Sequence, residues 1–169
     1  MPPRVPSDTV LPLTWGRADD RRIAGLVLAI TGAVHVQGTN TYSLPVLLVG
    51  VVAIAIGWGI MPARGWRRIV AALLGIANAA ALLAGPVAVW TCAFALLAWL
   101  LVRHRPLRSY LTLLFPVANG LILPRLFEDY RWMPLCLAIS LAVVVASAWL
   151  AGLIADSRRR PSPPAAAGR

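Results

Sequence analysis

Residues 69–102, IVAALLGIANAAALLAGPVAVWTCAFALLAWLLV, decide the fold, because they run for 34 residues without Arg, Lys, Asp or Glu. A hydrocarbon core about 30 Å thick is crossed by about 20 apolar helical residues. The stretch is therefore too long for one crossing and long enough for two. Gly85-Pro86 lies at its centre, and glycine followed by proline is a typical signal for ending one helix and starting another. The sequence predicts membrane-spanning helices over residues 68–84 and 86–102.

A second uncharged run precedes this one and must also fold back on itself. Residues 23–63 contain 41 residues without Arg, Asp or Glu, which as one helix would reach about 61 Å. The polar stretch from Gln37 to Ser43, followed by Pro45, has the composition of a turn. The run therefore predicts spans over residues 23–38 and 44–61.

Two further spans complete the prediction. Residues 132–155 form an uncharged run of 24 residues, which is long enough for a crossing. The segment between Arg108 and Arg125 has only 16 residues with Pro116 in its middle, so it crosses only if it extends from Leu107 to Phe127 and kinks at the proline. We predict an all-α fold, a polytopic transmembrane helical bundle of six spans arranged as three hairpins. A chain of five spans, in which the Pro116 segment does not cross, is the alternative.

The composition agrees with a membrane protein. Hydrophobic residues make up 59% of the 169 residues and charged residues 13%, against about 25% charged in soluble domains. All sixteen basic residues are arginine and the net charge is +10. Because the arginines punctuate apolar stretches, we expect the anionic cytoplasmic leaflet as their partner and no binding of nucleic acid. Exclusive use of arginine in an alanine-rich chain also indicates a bacterial source.

The distribution of arginine predicts the orientation, because loops rich in Arg stay in the cytoplasm. Only Arg125 and Arg131 fall on the opposite side, beside Glu128 and Asp129. Both termini are therefore expected in the cytoplasm, and the protein in the plasma membrane. The five-span alternative would break this pattern by placing residues 158–160 outside. The arginines assigned to the cytoplasmic side are Arg4, Arg17, Arg21, Arg22, Arg64, Arg67, Arg68, Arg103, Arg105, Arg108, Arg158, Arg159, Arg160 and Arg169.

The predicted spans and their orientation divide the chain into three parts. Residues 1–22 are predicted to be a cytoplasmic N-terminal segment, residues 23–155 the six-helix transmembrane domain, and residues 156–169 a disordered basic tail. The helices that start in the cytoplasm open similarly, and Asn78 and Asn119 each follow an arginine by eleven residues. Two explanations of this similarity stay open: duplication of a hairpin, or chance resemblance among alanine-rich helices.

Polar side chains within the predicted spans are the first candidates for function, since they cost free energy in lipid. Two interpretations stay open for them: contacts to a ligand in an outward-facing cavity, or hydrogen bonds within and between helices. The candidates are His35, Gln37, Asn40, Asn78 and Asn119.

The outer loop between the last two spans is the second candidate. Glu128 and Asp129 bind a cation or a basic group, or they are neutralised by Arg125 and Arg131. Metal ligation is not expected, because the two histidines fall on opposite sides of the membrane. No cofactor is expected either.

Two further features of the predicted spans, a pair of cysteines and rows of small residues, are candidates for a role in structure or assembly. Cys92 and Cys136 lie near the outer face, as a disulfide or as two buried thiols. Small residues recur at four-residue steps, which lets helices approach closely in lipid. These stripes pack the six helices together or dock a second protein. They comprise Gly25, Ala29, Ala33; Ala71, Gly75, Ala79; and Ala138, Ala142, Ala146.

Together these features predict a non-catalytic accessory or assembly subunit of a membrane complex. An enzyme is not expected, because the chain contains no G-x-S-x-G, H-E-x-x-H, Walker A or C-x-x-C motif and has a single glutamate. The alternative is small-solute capture or transport through an outward-facing polar cavity. In size, in its six spans and in the Ala29-x-x-x-Ala33 pair, the chain resembles in architecture the substrate-capturing membrane subunits of energy-coupling-factor transporters. That resemblance implies the solute-capture alternative.

Overall fold

The computed structural model describes residues 17–40, 42–63 and 65–156. Most of the predicted N-terminal segment, residues 1–22, and all but the first residue of the predicted tail, residues 156–169, lie outside this part of the chain. The boundaries of the three predicted parts therefore stay predictions.

The described part of the chain contains six α-helices, and no strand is assigned in it. Short 3-10 segments extend several of them: Leu82–Ala84 follows α3, Pro86–Thr91 precedes α4, Leu107–Leu113 precedes α5, and Tyr130–Trp132 precedes α6. The helices are α1 Ala18–Gln37, α2 Leu44–Ile60, α3 Gly65–Ala81, α4 Cys92–Val102, α5 Leu114–Leu126 and α6 Met133–Asp156.

Among the described residues, three helical segments are long and apolar enough to span a membrane: Gly65–Ala84, Leu107–Leu126 and Tyr130–Asp156. Leu44–Ile60 and Pro86–Val102 are shorter apolar helices. The first turn of α1 is charged, with Asp19 and Asp20 before Arg21 and Arg22, so its apolar part begins at residue 23. The all-helical fold and the presence of helices suited to a membrane agree with the sequence prediction.

The predicted break at Gly85-Pro86 is present. Gly85 has φ +84°, in the left-handed region that side chains rarely adopt. The ring of Tyr130 comes within 3.0 Å of the position where a Cβ of Gly85 would lie. Glycine is therefore required here for its backbone conformation and for the close approach of the ring.

Pro116 lies where the helix changes its geometry. The segment beginning at Leu107 is a 3-10 helix to Leu113 and α-helical from Leu114, so Pro116 is the third residue of α5. The first turn of an α-helix tolerates proline well. The span predicted from residue 107 to 127 is therefore one continuous helical segment of two geometries that ends at Leu126.

Consecutive helices run in opposite directions, so that arginines from several helix ends lie at the same end of the bundle. At one end of the bundle, Arg68 Nη1 donates to the carbonyl oxygen of Gly59 at 3.2 Å, which joins the start of α3 to the end of α2. Arg67 Nη1 donates to the carbonyl oxygen of Leu101 at 2.9 Å, which joins the start of α3 to the end of α4. We call this end, which holds Arg17, Arg21, Arg22, Arg67, Arg68, Arg103, Arg105 and Arg108, the arginine end.

Each helix contacts the next one along the chain, and after the pair α1 and α2 the most extensive contact between two helices is that of α3 with α4. Helix α3 also contacts α1, and α4 also contacts α6. The 3-10 segment Pro86–Thr91 lies against α5. The arrangement of the helices as three membrane-spanning hairpins stays a prediction.

The contact between α1 and α2 is made by backbone against backbone. A Cβ added to Gly25 would lie 2.6 Å from the carbonyl oxygen of Gly57, and one added to Gly57 would lie 2.7 Å from that of Gly25. Gly32 and Gly50 are related in the same way, at 2.6 and 2.8 Å. Side chains larger than hydrogen at these four positions would push the helices apart.

The three predicted small-residue stripes have different surroundings. In α1 the buried row is Gly25, Ala29, Gly32 and Val36, because a row of four-residue steps drifts around the helix and leaves Ala33 half-buried. In α3, Ala71 and Ala79 are buried. The stripe of α6, which we call the α6 stripe, is exposed along its length and consists of Ala138, Ala142 and Ala146.

We expect Gly57→Ala to destabilise the protein and Gly59→Ala to stabilise it. Both positions lie in the last turns of α2, but the added methyl group at Gly57 overlaps α1, at a cost of about 1–3 kcal/mol. At Gly59 nothing lies within 4 Å of the added Cβ, and helix propensity favours alanine by up to about 1 kcal/mol. Thermal unfolding in detergent measures both. Equal melting temperatures for the two variants would contradict the close contact of α1 and α2.

Candidate functional site

The structure gives each of the five predicted cavity residues a hydrogen bond within the protein. His35 is exposed, and its Nδ1 lies 2.8 Å from the carbonyl oxygen of Thr31 in the same helix. Gln37 Nε2 donates to the carbonyl oxygen of Ala79 at 2.8 Å. Gln37 therefore ties the end of α1 to the end of α3.

Asn40 shapes the turn between α1 and α2. Its Oδ1 accepts a hydrogen bond from the backbone N–H of Tyr42 at 3.0 Å. Its own N–H donates to Ser43 Oγ at 2.7 Å, just before α2 begins. These bonds are typical of asparagine in turns.

Asn78 links α3 to the 3-10 segment before α4. The hydroxyl of Thr91 lies 3.0 Å from Asn78 Oδ1 and 2.8 Å from the carbonyl oxygen of Ala88. Thr91 is 2% exposed, so its hydroxyl must be satisfied within the protein. Because a hydroxyl has one proton to donate, these two acceptors compete for it.

Asn119 makes the corresponding link between α5 and α6. Its Nδ2 donates to Ser140 Oγ at 3.0 Å, and Ser140 is buried. The neighbouring Gly120 faces the backbone of Trp90, whose Cα would lie 2.1 Å from an added Cβ. Asn78 and Gly120 thus contact two adjacent residues of the same 3-10 segment, Thr91 and Trp90, and together with the bond of Asn119 these contacts join four helical segments.

Sequence reasoning missed the hydroxyl partners. Thr91, Ser140 and Ser109 are buried polar residues, and Ser109 Oγ donates to the carbonyl oxygen of Ala151 at 3.0 Å. The available signal was the presence of isolated Ser and Thr in otherwise apolar helices, since these residues often hydrogen-bond across helices in lipid. A ligand-contacting role for the five candidates stays a prediction.

The charge cluster between α5 and α6, which the sequence predicts on the outer side, divides into a pair and two separate residues. Arg131 Nε lies 3.2 Å from Asp129 Oδ2, and its guanidinium lies 5.4 Å from the ring centroid of Trp132. Arg125 is exposed in the last turn of α5, where a cation interacts favourably with the helix dipole. Glu128 lines an open depression of about 420 Å³, together with Ala84, Pro86, Val87, Pro124 and Tyr130.

The arginine end is the most highly charged part of the described structure. The hydrogen bonds of Arg67 and Arg68 go to Leu101 and Gly59, which lie in the last turns of α4 and α2. The last carbonyl groups of a helix lack partners within it. The arginines at the start of α3 therefore cap two neighbouring helices.

Helix α4 ends in a tight turn that separates two further arginines. His104 has φ +51°, and the N–H groups of His104 and Arg105 donate to the carbonyl oxygens of Leu101 and Leu100. This left-handed pattern is a common helix ending, usually with glycine at the position of His104. Pro106 follows and prevents the helix from continuing.

Arg103 and Arg105 have different partners. Arg105 Nη1 lies 3.9 Å from Asp156 Oδ1, at the end of α6. The guanidinium of Arg103 lies 5.3 Å from the ring centroid of Trp99. Burial lowers the pKa of Arg103, and the nearby charges of Arg22 and Arg105 lower it further, against an opposite effect of the two nearby aspartates. The charges of Arg22 in α1 and of Arg105 in the turn after α4 therefore act on Arg103.

Cys92 and Cys136 are free and buried within one apolar cluster, as small hydrophobic residues often are. Within residues 17–40, 42–63 and 65–156, no three His, Cys, Asp or Glu side chains are placed to hold a metal ion together.

Comparison of the chain with protein-family models, curated proteins and solved structures finds no match.

A double-mutant cycle on Asn119→Ala and Ser140→Ala is expected to give a coupling free energy of about 0.6 kcal/mol, and at most about 1.7 kcal/mol, as found for hydrogen bonds between membrane helices. A coupling is expected because each single substitution leaves the other polar group without its partner, whereas the double substitution removes both groups. Unfolding in mixed micelles with increasing denaturing detergent measures the cycle. Additive effects of the two substitutions would show that the bond does not stabilise the bundle.

Proposed function

We propose that this chain is a multi-pass plasma-membrane protein that crosses the bilayer six times with both termini in the cytoplasm. It serves as a non-catalytic accessory or assembly subunit of a membrane complex. The topology and the role rest on different observations, and each has its own experiment.

Charge asymmetry supports the topology. At the arginine end the described residues include eight arginines against Asp19, Asp20 and Asp156, whereas the opposite end has Arg125 and Arg131 against Glu128 and Asp129. Such an imbalance favours the arginine end in the cytoplasm.

The length of α2 is compatible with this topology. Its 17 residues reach about 26 Å, near the lower limit for a crossing.

The internal use of polar and small side chains supports the role of a subunit. Asn78 and Asn119 hold helices together through Thr91 and Ser140. Ala29 belongs to the buried contact between α1 and α2, so the Ala29-x-x-x-Ala33 pair does not offer an open docking surface.

The observation that carries the role is the contrast between the stripes. Those of α1 and α3 are packed within the bundle, whereas the α6 stripe is exposed beside Leu141, Val145 and Trp149. A row of alanines permits a close approach by another helix. We therefore propose that a partner membrane protein packs on this face of α6.

Reporter fusions test the topology. A fluorescent protein that folds only in the cytoplasm, fused after Arg160, is expected to fluoresce. An alkaline phosphatase inserted between residues 39 and 43 is expected to be active, because that enzyme works only outside the cytoplasm. A dark C-terminal fusion with an active phosphatase at the same position would overturn six spans and support the five-span alternative.

Affinity purification in a mild detergent tests the role. We expect a stoichiometric membrane protein to be recovered with the native chain and lost with Ala142→Leu, because the larger side chain separates the docked helices. Ala77→Leu is the matched control: it also enlarges an exposed alanine, on α3, and should retain the partner. Recovery of the partner with both variants would place the interface elsewhere.

Solute capture is the second candidate, and the open depression beside Glu128 is a place for a solute, although none of the five predicted cavity residues lines it. Mass spectrometry of small molecules in the same purified sample separates the two roles. A defined small molecule retained by the chain alone, and lost with Glu128→Gln, would replace the subunit proposal with solute capture.

A further inference from the structure

We propose that the depression beside Glu128 is a binding site for a quaternary ammonium group, with the Glu128 carboxylate as its counter-ion and the ring of Tyr130 as its aromatic partner. Free choline-like solutes and the headgroup of phosphatidylcholine both carry such a group. The site goes beyond the role of a subunit and does not depend on it.

Three parts of the chain form the depression, whose volume of about 420 Å³ lies within the range of small-molecule sites. The ring of Tyr130 joins two of these parts, because its Cδ2 and Cε2 lie 3.0 and 3.3 Å from the position of a Cβ on Gly85. Glu128 is two residues from Tyr130, so their Cα atoms lie within about 7 Å of each other. The lining residues are Ala84, Pro86 and Val87 from the break between α3 and α4, Pro124 from α5, and Glu128 and Tyr130 from the segment before α6.

Glu128 brings an unpaired negative charge to the depression. Its neighbour Asp129 pairs with Arg131, whose guanidinium also lies over the ring of Trp132. Within the part of the chain that the structure describes, the Glu128 carboxylate has no ion pair. Arg125, the other cation of the cluster, does not line the depression. A cationic ligand therefore finds a carboxylate that no arginine neutralises.

The other walls of the depression favour methyl groups over N–H donors. Pro86, Val87 and Pro124 present hydrocarbon to it. A primary ammonium is strongly hydrated and has three donors that need acceptors, whereas a quaternary ammonium has methyl groups that contact apolar walls and aromatic rings. Tyr130 is 59% exposed, so ring surface remains available beside its contact with Gly85.

Neighbouring aromatic residues agree with a ligand at the level of lipid headgroups. The segment that carries Glu128 and Tyr130 also contains Phe127 and Trp132, whose ring centroids lie 5.7 Å apart. Trp132 is 41% exposed, and tryptophan and tyrosine are typical of the membrane interface. In the proposed topology this interface is the outer one, where both free solutes and headgroups are present.

Saturation-transfer NMR on the full-length protein in a deuterated detergent tests the site. We expect choline to bind in the millimolar range, because one exposed carboxylate and one ring make a weak site. Two matched ligands compete for it: 3,3-dimethylbutan-1-ol, in which carbon replaces the charged nitrogen, and ethanolamine, which lacks the methyl groups. Each is expected to bind at least about threefold more weakly than choline.

Substitutions identify the groups that bind choline. Glu128→Gln is expected to weaken binding by about fivefold. Asp129→Asn is the matched control, since it removes the same charge from the adjacent residue outside the depression, and screening by salt should limit its effect to less than about twofold. Tyr130→Leu is expected to weaken binding by about threefold, whereas Tyr130→Phe keeps the ring on Gly85 and should retain it.

Phosphatidylcholine added to the detergent separates the two sources of the group. Displacement of choline by phosphatidylcholine but not by phosphatidylglycerol identifies the headgroup as the ligand, and no displacement by either identifies a free solute. Displacement by both lipids would show that acyl chains cover the depression and would overturn the proposal.

Four further results would also overturn it: no choline binding in the millimolar range, equal binding of choline and 3,3-dimethylbutan-1-ol, equal effects of Glu128→Gln and Asp129→Asn, or full binding by Tyr130→Leu. These outcomes are independent of the proposed function. Binding in detergent does not depend on orientation, so a failed topology experiment leaves it intact, and so does loss of the α6 partner. A ligand bound this weakly exchanges too quickly to be retained through purification, which distinguishes the site from solute capture.

Discussion

Helices that are apolar on every side gain little from burying one another in lipid, because hydrocarbon tails are as apolar as their side chains. Their association must come from closer packing or from polar contacts. Helices α1 and α2 use the first means, with Gly25 against Gly57 and Gly32 against Gly50. Helix α5 uses both, through the close approach of Gly120 to Trp90 and the bond from Asn119 to Ser140 of α6.

The same constraint governs the ends of the helices. Carbonyl groups in a last turn have no partner within their own helix, and the long side chains at the start of α3 supply partners for those of α2 and α4. Arg67 and Arg68 therefore hold the ends of three helices together.

Much of the fold could be predicted because its signals are local. The break at Gly85-Pro86, the limits of α2 and the last long helix follow from charge, glycine and proline in the printed sequence. The contacts between helices that are not consecutive, such as α1 with α3 and α4 with α6, could not be predicted, since apolar helices carry no charge pattern that selects neighbours. For the site, the sequence singles out Asn78 and Asn119 as polar groups in apolar helices, but their partners Thr91 and Ser140 depend on packing distant in sequence.

The glycine contact between α1 and α2 also has an evolutionary consequence. Gly25 and Gly32 are seven residues apart, as are Gly50 and Gly57, so each pair returns to the same helix face after nearly two turns. A change at one position is tolerated only if the facing helix yields, whereas exposed apolar residues of the same helices, such as Val27 and Leu48, can exchange more easily. Distant relatives of this chain should therefore be recognisable by two G-x6-G pairs in successive helices, long after their overall sequence similarity has been lost.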